Sequence, residues 1–247
     1  MFLLRPFSRR WWFATLLVLA AAAVLIRLGI WQLDRLEQRR AFNAQVESAR
    51  KQPALDLNEG QPADIAQMEW RAVQFAGEYD FANQVAVRNQ YYAGQYGYHI
   101  MTPLLSQGIA VVVDRGWIPA DSNSTPEDWR KYDVPGEVKV AGQIRLGQGK
   151  PAFGGIADAL PADGSKLHVW NNANIEQIAH QLPYPILPVY IQQNYDPLDE
   201  EPPIPFQPTL ELTEGSHFGY ALQWFTFAAI LLVGYPFFIE KQEARSA

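Results

Sequence analysis

The chain has 247 residues, 48% of them hydrophobic, and a formal net charge of −6, yet its mean hydropathy is slightly negative. That combination predicts concentrated apolar segments beside one ordinary water-soluble domain. The acidic balance supplies no basic footprint for nucleic acid, and the absence of cysteine excludes disulfides, zinc–thiolate sites, a thiol nucleophile and thioether-linked haem.

Residues 1–10 are a tail carrying Arg5, Arg9 and Arg10. Residues 11–33, "WWFATLLVLAAAAVLIRLGIWQL", are long enough to cross a hydrocarbon core of roughly 30 Å as a helix. Trp11 and Trp12 at one end and Trp31 at the other match an interfacial aromatic belt. Arg27 is near enough to the far end for its side chain to snorkel to the headgroups. An arginine-bearing start and the alanines at 20–23 also fit a cleaved signal peptide. The apolar sequence continues to Leu33, well past those alanines, so an uncleaved anchor is expected.

The following "LDRLEQRRAFNAQVESARK" predicts a helix with Leu33, Leu36, Phe42 and Val46 as its apolar positions, ended by Pro53. From Trp70 the texture changes to short runs rich in β-branched and aromatic residues. Strands are predicted over 70–79, 84–89, 96–105, 109–117 and 137–146, with further strands at 166–171 and 187–193. "STPEDW" is a helix start, with Ser124 or Thr125 as cap and Pro126 in the first turn; a second short helix is predicted over 174–182. Close punctuation by glycine, proline and asparagine predicts an antiparallel barrel or sandwich. Gly147 to Gly155 is a glycine-rich loop without the strand–turn–helix setting of a phosphate cradle. Asp196, Asp199, Glu200 and Glu201 belong to a proline-rich connector and read as solvated charges.

Residues 218–239 carry no charge and meet the length criterion for a second spanning helix, with Pro236 near the end, where a kink or stop costs little. The expected organisation is a tail at 1–10, a transmembrane helix at 11–33, a β-rich domain with an N-terminal helix at 34–216, a second transmembrane helix at 217–239 and a tail at 240–247. Positive charges flank the first span on both sides, so counting them is close to a draw. Long intervening segments translocate largely regardless of charge, which favours cytoplasmic tails and an external domain.

The chain offers no G-x-S-x-G, H-E-x-x-H or G-x-x-x-x-G-K-[ST] pattern. Of the four histidines, His99, His168 and His180 occupy ordinary strand and helix positions. His217 stands at the mouth of the last helix, where an ionisable group is a functional candidate. A neutral imidazole there is a good ligand for haem iron. Tyr220 and Trp224 share one helix face, four residues apart, and with Phe218 and Phe225 they would line a flat apolar pocket. The other reading is an interfacial belt in which His217 caps the helix and meets headgroups.

Four short motifs carry a resemblance along nearly the whole chain: "LGIWQLDR" (28–35), "YGYHIMTPL" (96–104), "VVVDRGWIP" (111–119) and "SHFGYALQWFTFA" (216–228). In this order they resemble the Surfeit-locus family of cytochrome c oxidase assembly factors. Two positions depart from that pattern: Gln38–Arg39 where an aromatic–Lys pair is common, and Gly215–Ser216 where asparagine is common. The resemblance implies a membrane protein of α+β class, with two transmembrane helices flanking a periplasmic β-rich domain in a bacterial inner membrane and both termini cytoplasmic. It implies no catalysis, but the binding of haem A and its insertion into cytochrome c oxidase subunit I. The resemblance puts the iron ligand at His217, beside Tyr220 and Trp224. Trp31, Gln32 and Arg35 lie on the first helix, and Gln32 and Arg35 are placed to meet the propionates, Arg35 through a charge-assisted pair. Partners implied are subunit I, haem A synthase as a possible haem donor, and membrane lipid. The alternative is a tethered scaffold that stabilises nascent subunit I without touching haem. A copper chaperone is disfavoured by the lack of thiolates and by only three methionines.

Overall fold

The computed structural model describes residues 8–151, 154–161, 163–198, 201–206 and 210–246. Arg5, Ala152 and Phe153 of the glycine-rich loop, and Asp199 and Glu200 of the acidic connector lie outside them. The chain divides into two compact units: residues 46–210, and residues 1–45 together with 211–247.

The second of these units is a pair of helices. The anchor and the charged helix predicted after it are one continuous element, α1 (Trp12–Lys51), ending just before Pro53, whose ring disfavours a helical conformation in the residue preceding it. Its partner α4 (His217–Ser246) continues through Pro236, so of the kink or stop allowed there the stop does not occur. The two run antiparallel. Trp11 meets Phe238 edge-on at 6.2 Å between ring centroids, Thr15 Oγ1 and Tyr235 Oη are 2.9 Å apart, and Gly29 faces the Phe225 ring. Thr15, Ala22, Gly29, Leu36 and Asn43, seven residues apart, are all buried, as are Ala221 and Ala228 across from them. A seven-residue repeat that is small or polar at four of its five positions, Leu36 being the exception, is the seam of a close helix pair. Each helix is long and apolar enough to cross a membrane, with mean hydropathies of 2.4 and 1.7 over its most apolar stretch.

The other unit is built on an eight-stranded sheet of order β1-β2-β6-β8-β5-β4-β3-β7. Its strands are β1 (Leu55–Asp56), β2 (Ala72–Tyr79), β3 (Val85–Tyr92), β4 (Gln95–Ser106), β5 (Ile109–Pro119), β6 (Glu137–Leu146), β7 (Val169–Trp170) and β8 (Val189–Gln193). The antiparallel pairing expected from the turn spacing is corrected in part: the sheet is mixed, with β1–β2, β3–β7 and β5–β8 parallel and the remaining neighbours antiparallel. Parallel neighbours need a crossover connection, and the long path from β5 to β8 provides one. The end of β2 also pairs with β4 over Glu78↔Leu105 and Tyr79↔Leu104. The strands β4 and β5 are buried along most of their lengths, which is why "IAVVVDRGW" reads as a continuous apolar run rather than an alternating one. Phe75, Leu104, Val111 and Ile191 pack in one core cluster; Val87, Met101, Val112 and Trp170 form another. The short helix α2 (Pro126–Trp129) starts where the Ser124–Thr125 cap predicts, and α3 (Ile175–His180) lies within the helix predicted over 174–182. Asp128 accepts from Thr125 N at 2.9 Å, and Asn174 Oδ1 accepts from Gln177 N at 3.2 Å.

Candidate functional site

The site assembles where α4 begins. The segment leading into it is tied to α1 by three side chains. Arg39 donates through Nε to Thr213 O at 3.0 Å and through a terminal nitrogen to Glu211 O, and stacks over Phe42. Asn43 donates to Thr213 O at 3.2 Å. Arg40 makes a bidentate pair with the Glu214 carboxylate at 2.8 and 2.9 Å. Its guanidinium holds the Glu214 carboxyl below the usual carboxylate range, chiefly through that hydrogen bond. The two arginine contacts are exposed, so they restrain position more than they add stability. Gly215 then turns the chain with φ +67°, a left-handed conformation that glycine adopts freely and asparagine tolerates better than most. The departure at Gly215–Ser216 therefore keeps a residue suited to this backbone.

His217 follows, half-buried. Its Nδ1 lies 2.8 Å from Gln32 Oε1. An amide oxygen only accepts, so the ring carries its proton on Nδ1 and presents the Nε2 lone pair on the other side. The same device orients metal-bound imidazoles: a fixed partner on one nitrogen sets the tautomer and the ring plane. A Cβ on Gly215 would make only ordinary van der Waals contact with the ring, 3.8 Å from Nε2, so the glycine at 215 answers to its left-handed backbone.

Of the residues singled out in the sequence, the structure brings His217 and Gln32 together. Gln32 is used to orient the imidazole, where the sequence suggested a propionate contact. Trp224 is half-buried, one helix stripe from His217, and packs edge-on against Phe227. Tyr220 is exposed on the adjacent face. Trp31 is also exposed, one residue from Gln32. Arg35 is exposed and donates to Gln38 Oε1 at 2.8 Å; among the described residues it makes no contact with His217.

His168 and His180 are exposed. His99 is buried, with Nδ1 2.9 and 3.0 Å from the two oxygens of buried Asp114, and Asp114 Oδ1 also accepts from Gly116 N at 3.1 Å. The pair joins the "YGYH" and "VVVDRGW" stretches across the β4–β5 hairpin, where the register shifts between Ile100 and Met101. In the sequence His99 reads as an ordinary strand histidine, and Asp114 is not singled out. The available signal was a single acid inside the apolar run 109–117. Among the described residues no three histidines and carboxylates converge in a metal-binding group.

Residues 19–229 match the SURF1 family, a span that includes His217, Gln32 and both central strand motifs. The chain belongs to the SURF1 family. Its relatives include a SURF1-like protein of Rickettsia felis, 25% identical over 89% of this chain and 94% of its own. Another is the mouse Surfeit locus protein 1, 26% identical over 88% of this chain and 72% of its own. The human Surfeit locus protein 1 is 24% identical, over 82% and 69%. Membership rests on the length of the match rather than on high identity, and it agrees with the order of the four motifs.

Proposed function

We propose that this SURF1-family member is an inner-membrane assembly factor for a haem–copper cytochrome c oxidase, which binds haem A and passes it into subunit I. The observation that carries this reading is the His217 imidazole, half-buried at the start of α4 and fixed through Nδ1 to Gln32. One imidazole held in a set plane through Nδ1 is a suitable reversible ligand for haem iron through Nε2. Haem A is too apolar to cross water alone, and Phe218, Tyr220 and Trp224 supply flat apolar surface beside the ligand. The role is a hand-over rather than a catalysed reaction. Haem A synthase fits as the donor, and subunit I as the acceptor.

Membrane anchoring of both helices is part of the proposal. Only 17% and 11% of the residues in their most apolar stretches are buried, whereas a core helix of a soluble domain is mostly covered. The exposed leucines, valines and phenylalanines need an apolar solvent, and lipid is that solvent. Arg27 pairs with Asp34 at 3.9 Å, which lowers the cost of a charge near the end of the apolar run. The orientation we propose puts both termini in the cytoplasm and the sheet in the periplasm, with spans at 11–33 and 217–239.

The test is purification of the full chain from cells that also make haem A. The reading predicts a Soret band with haem A recovered near one per chain, lost or shifted in His217→Ala. A colourless protein that still supports oxidase assembly would overturn haem binding and favour a tethered scaffold for subunit I.

A further inference from the structure

A second site lies within the sheet unit, on residues to which the haem reading assigns no role. Trp70 precedes β2 and is 7% exposed, with φ +74°, a conformation that a bulky side chain rarely adopts and that tends to mark ligand sites. Its backbone N–H donates to Ile144 O at 2.8 Å, locking that conformation to β6. Two guanidiniums lie over the indole: Arg145 at 3.7 Å and Arg50 at 5.8 Å from the ring centroid. Arg145 is already oriented, donating to Glu69 Oε1 at 3.3 Å and Gln192 Oε1 at 3.0 Å. Arg50 is exposed, and among the described residues none of its N–H groups has a protein acceptor. The three border a cavity of about 460 Å³, a size suited to small ligands. Gln143, Gln193 and Asn194 add amides to its wall, and Tyr195, Pro205 and Leu210 add apolar surface.

We propose that this cavity is a carboxylate-binding site that takes a monoanionic carboxyl group carried on an apolar or aromatic body. The charge count selects the class. Arg50 and Arg145 contribute two positive charges, and Glu69 cancels one through its bond to Arg145. The single uncompensated cation matches a carboxylate better than a phosphate dianion. The planar fork of Arg50 fits a carboxylate in bidentate fashion, the wall amides donate to its remaining lone pairs, and the apolar side of the cavity receives the body. A porphyrin propionate and a fatty acyl carboxylate share this chemistry.

The test uses the full chain in lipid nanodiscs, with empty nanodiscs as the blank. The probes are metal-free protoporphyrin, its dimethyl ester and dodecanoate. Without iron, His217 has nothing to ligate, so His217→Ala leaves the result unchanged and this site stands or falls apart from the haem reading. The free acid binds with a shift in porphyrin fluorescence. Arg50→Gln, at an exposed position that leaves the fold intact, weakens it on the order of tenfold, the loss of one charge-assisted contact. Arg50→Lys weakens it less, and Glu69→Gln, which removes the competing carboxylate, strengthens it. Displacement of the porphyrin by dodecanoate supports an acyl source, and failure to displace it supports an aromatic one. Equal binding of the dimethyl ester, or unchanged affinity in Arg50→Gln, would overturn the proposal.

Discussion

In the sheet unit Trp129, Trp170, Phe75 and Ile100 are enclosed, at 0–1% exposure, while in the helix pair Leu16, Leu17, Ile230, Val233 and Phe237 are all more than half exposed. What the helix pair buries is mostly small or polar, namely Thr15, Ala22, Gly29, Asn43, Ala221 and Ala228, with Leu36 and Ile239 as the large apolar exceptions. One unit is held by removing large apolar groups from water. The other is held by close backbone approach and a few hydrogen bonds, with its apolar groups turned outward. That inversion suits a pair surrounded by lipid, and the polar side chains of His217 and Gln32 meet across the same two helices.

Substitutions should separate the two modes of stabilisation. The largest effect is expected for Trp129→Ala, which empties a fully buried position and removes the indole bond to Asn123 O at 2.8 Å. A loss of about 3–5 kcal/mol would appear as a lower urea midpoint for the near-ultraviolet signal of the sheet, with the helical far-ultraviolet signal largely retained. Equal loss of both signals would break the distinction. Next comes Gly29→Leu. A Cβ at 29 would already fall 2.6 Å from the Phe225 ring, so the larger side chain should push the helices apart at about 1–3 kcal/mol. The cysteine-free chain allows a clean readout: cross-linking between Thr15→Cys and Tyr235→Cys should drop when Gly29→Leu is added.

A smaller effect is expected for Gln32→Leu. Removing the partner of Nδ1 frees the tautomer and the ring plane, and haem affinity should fall by about tenfold or more, measured by haem titration of the purified chain. The smallest effect concerns Arg40 and Glu214. The Glu214 carboxyl titrates below its ordinary value of 4.5, chiefly because it accepts hydrogen bonds from Arg40. A depressed folded pKa contributes stability that is present above about 4.5 and lost as pH falls through the lower folded value. Restraint of the 211–214 segment should therefore weaken only in acid, to an extent that added salt reduces. Hydrogen exchange of those amides should show the acid dependence in the native chain and not in Glu214→Gln.

Most of the elements were legible. The strands 70–79, 96–105, 109–117 and 137–146 were readable because β-branched runs were bounded by turn residues, and the Ser124–Thr125 cap with Pro126 announced α2. Strand order was not, because nothing local to "LPVYIQQ" says that it inserts between β5 and β6 and runs parallel to β5. The helix seam was present as a seven-residue spacing of Thr15, Ala22, Gly29, Leu36 and Asn43, but a uniformly apolar segment conceals which of its positions face a partner helix. His217 was legible from its place at a helix mouth. Its dependence on Gln32 was not, since 185 residues separate them and the pairing exists only once the two helices lie antiparallel. Trp70 and Arg145 were hidden for the same reason: their stacking depends on the register of β6 against the residue before β2.

The most direct test of the central claim is electron paramagnetic resonance of the ferric haem-loaded full chain, with histidine labelled with nitrogen-15. The account predicts hyperfine coupling from an imidazole nitrogen to the iron, present in the native chain and absent in His217→Ala, with His99, His168 and His180 contributing none. The same coupling persisting unchanged in His217→Ala would contradict it.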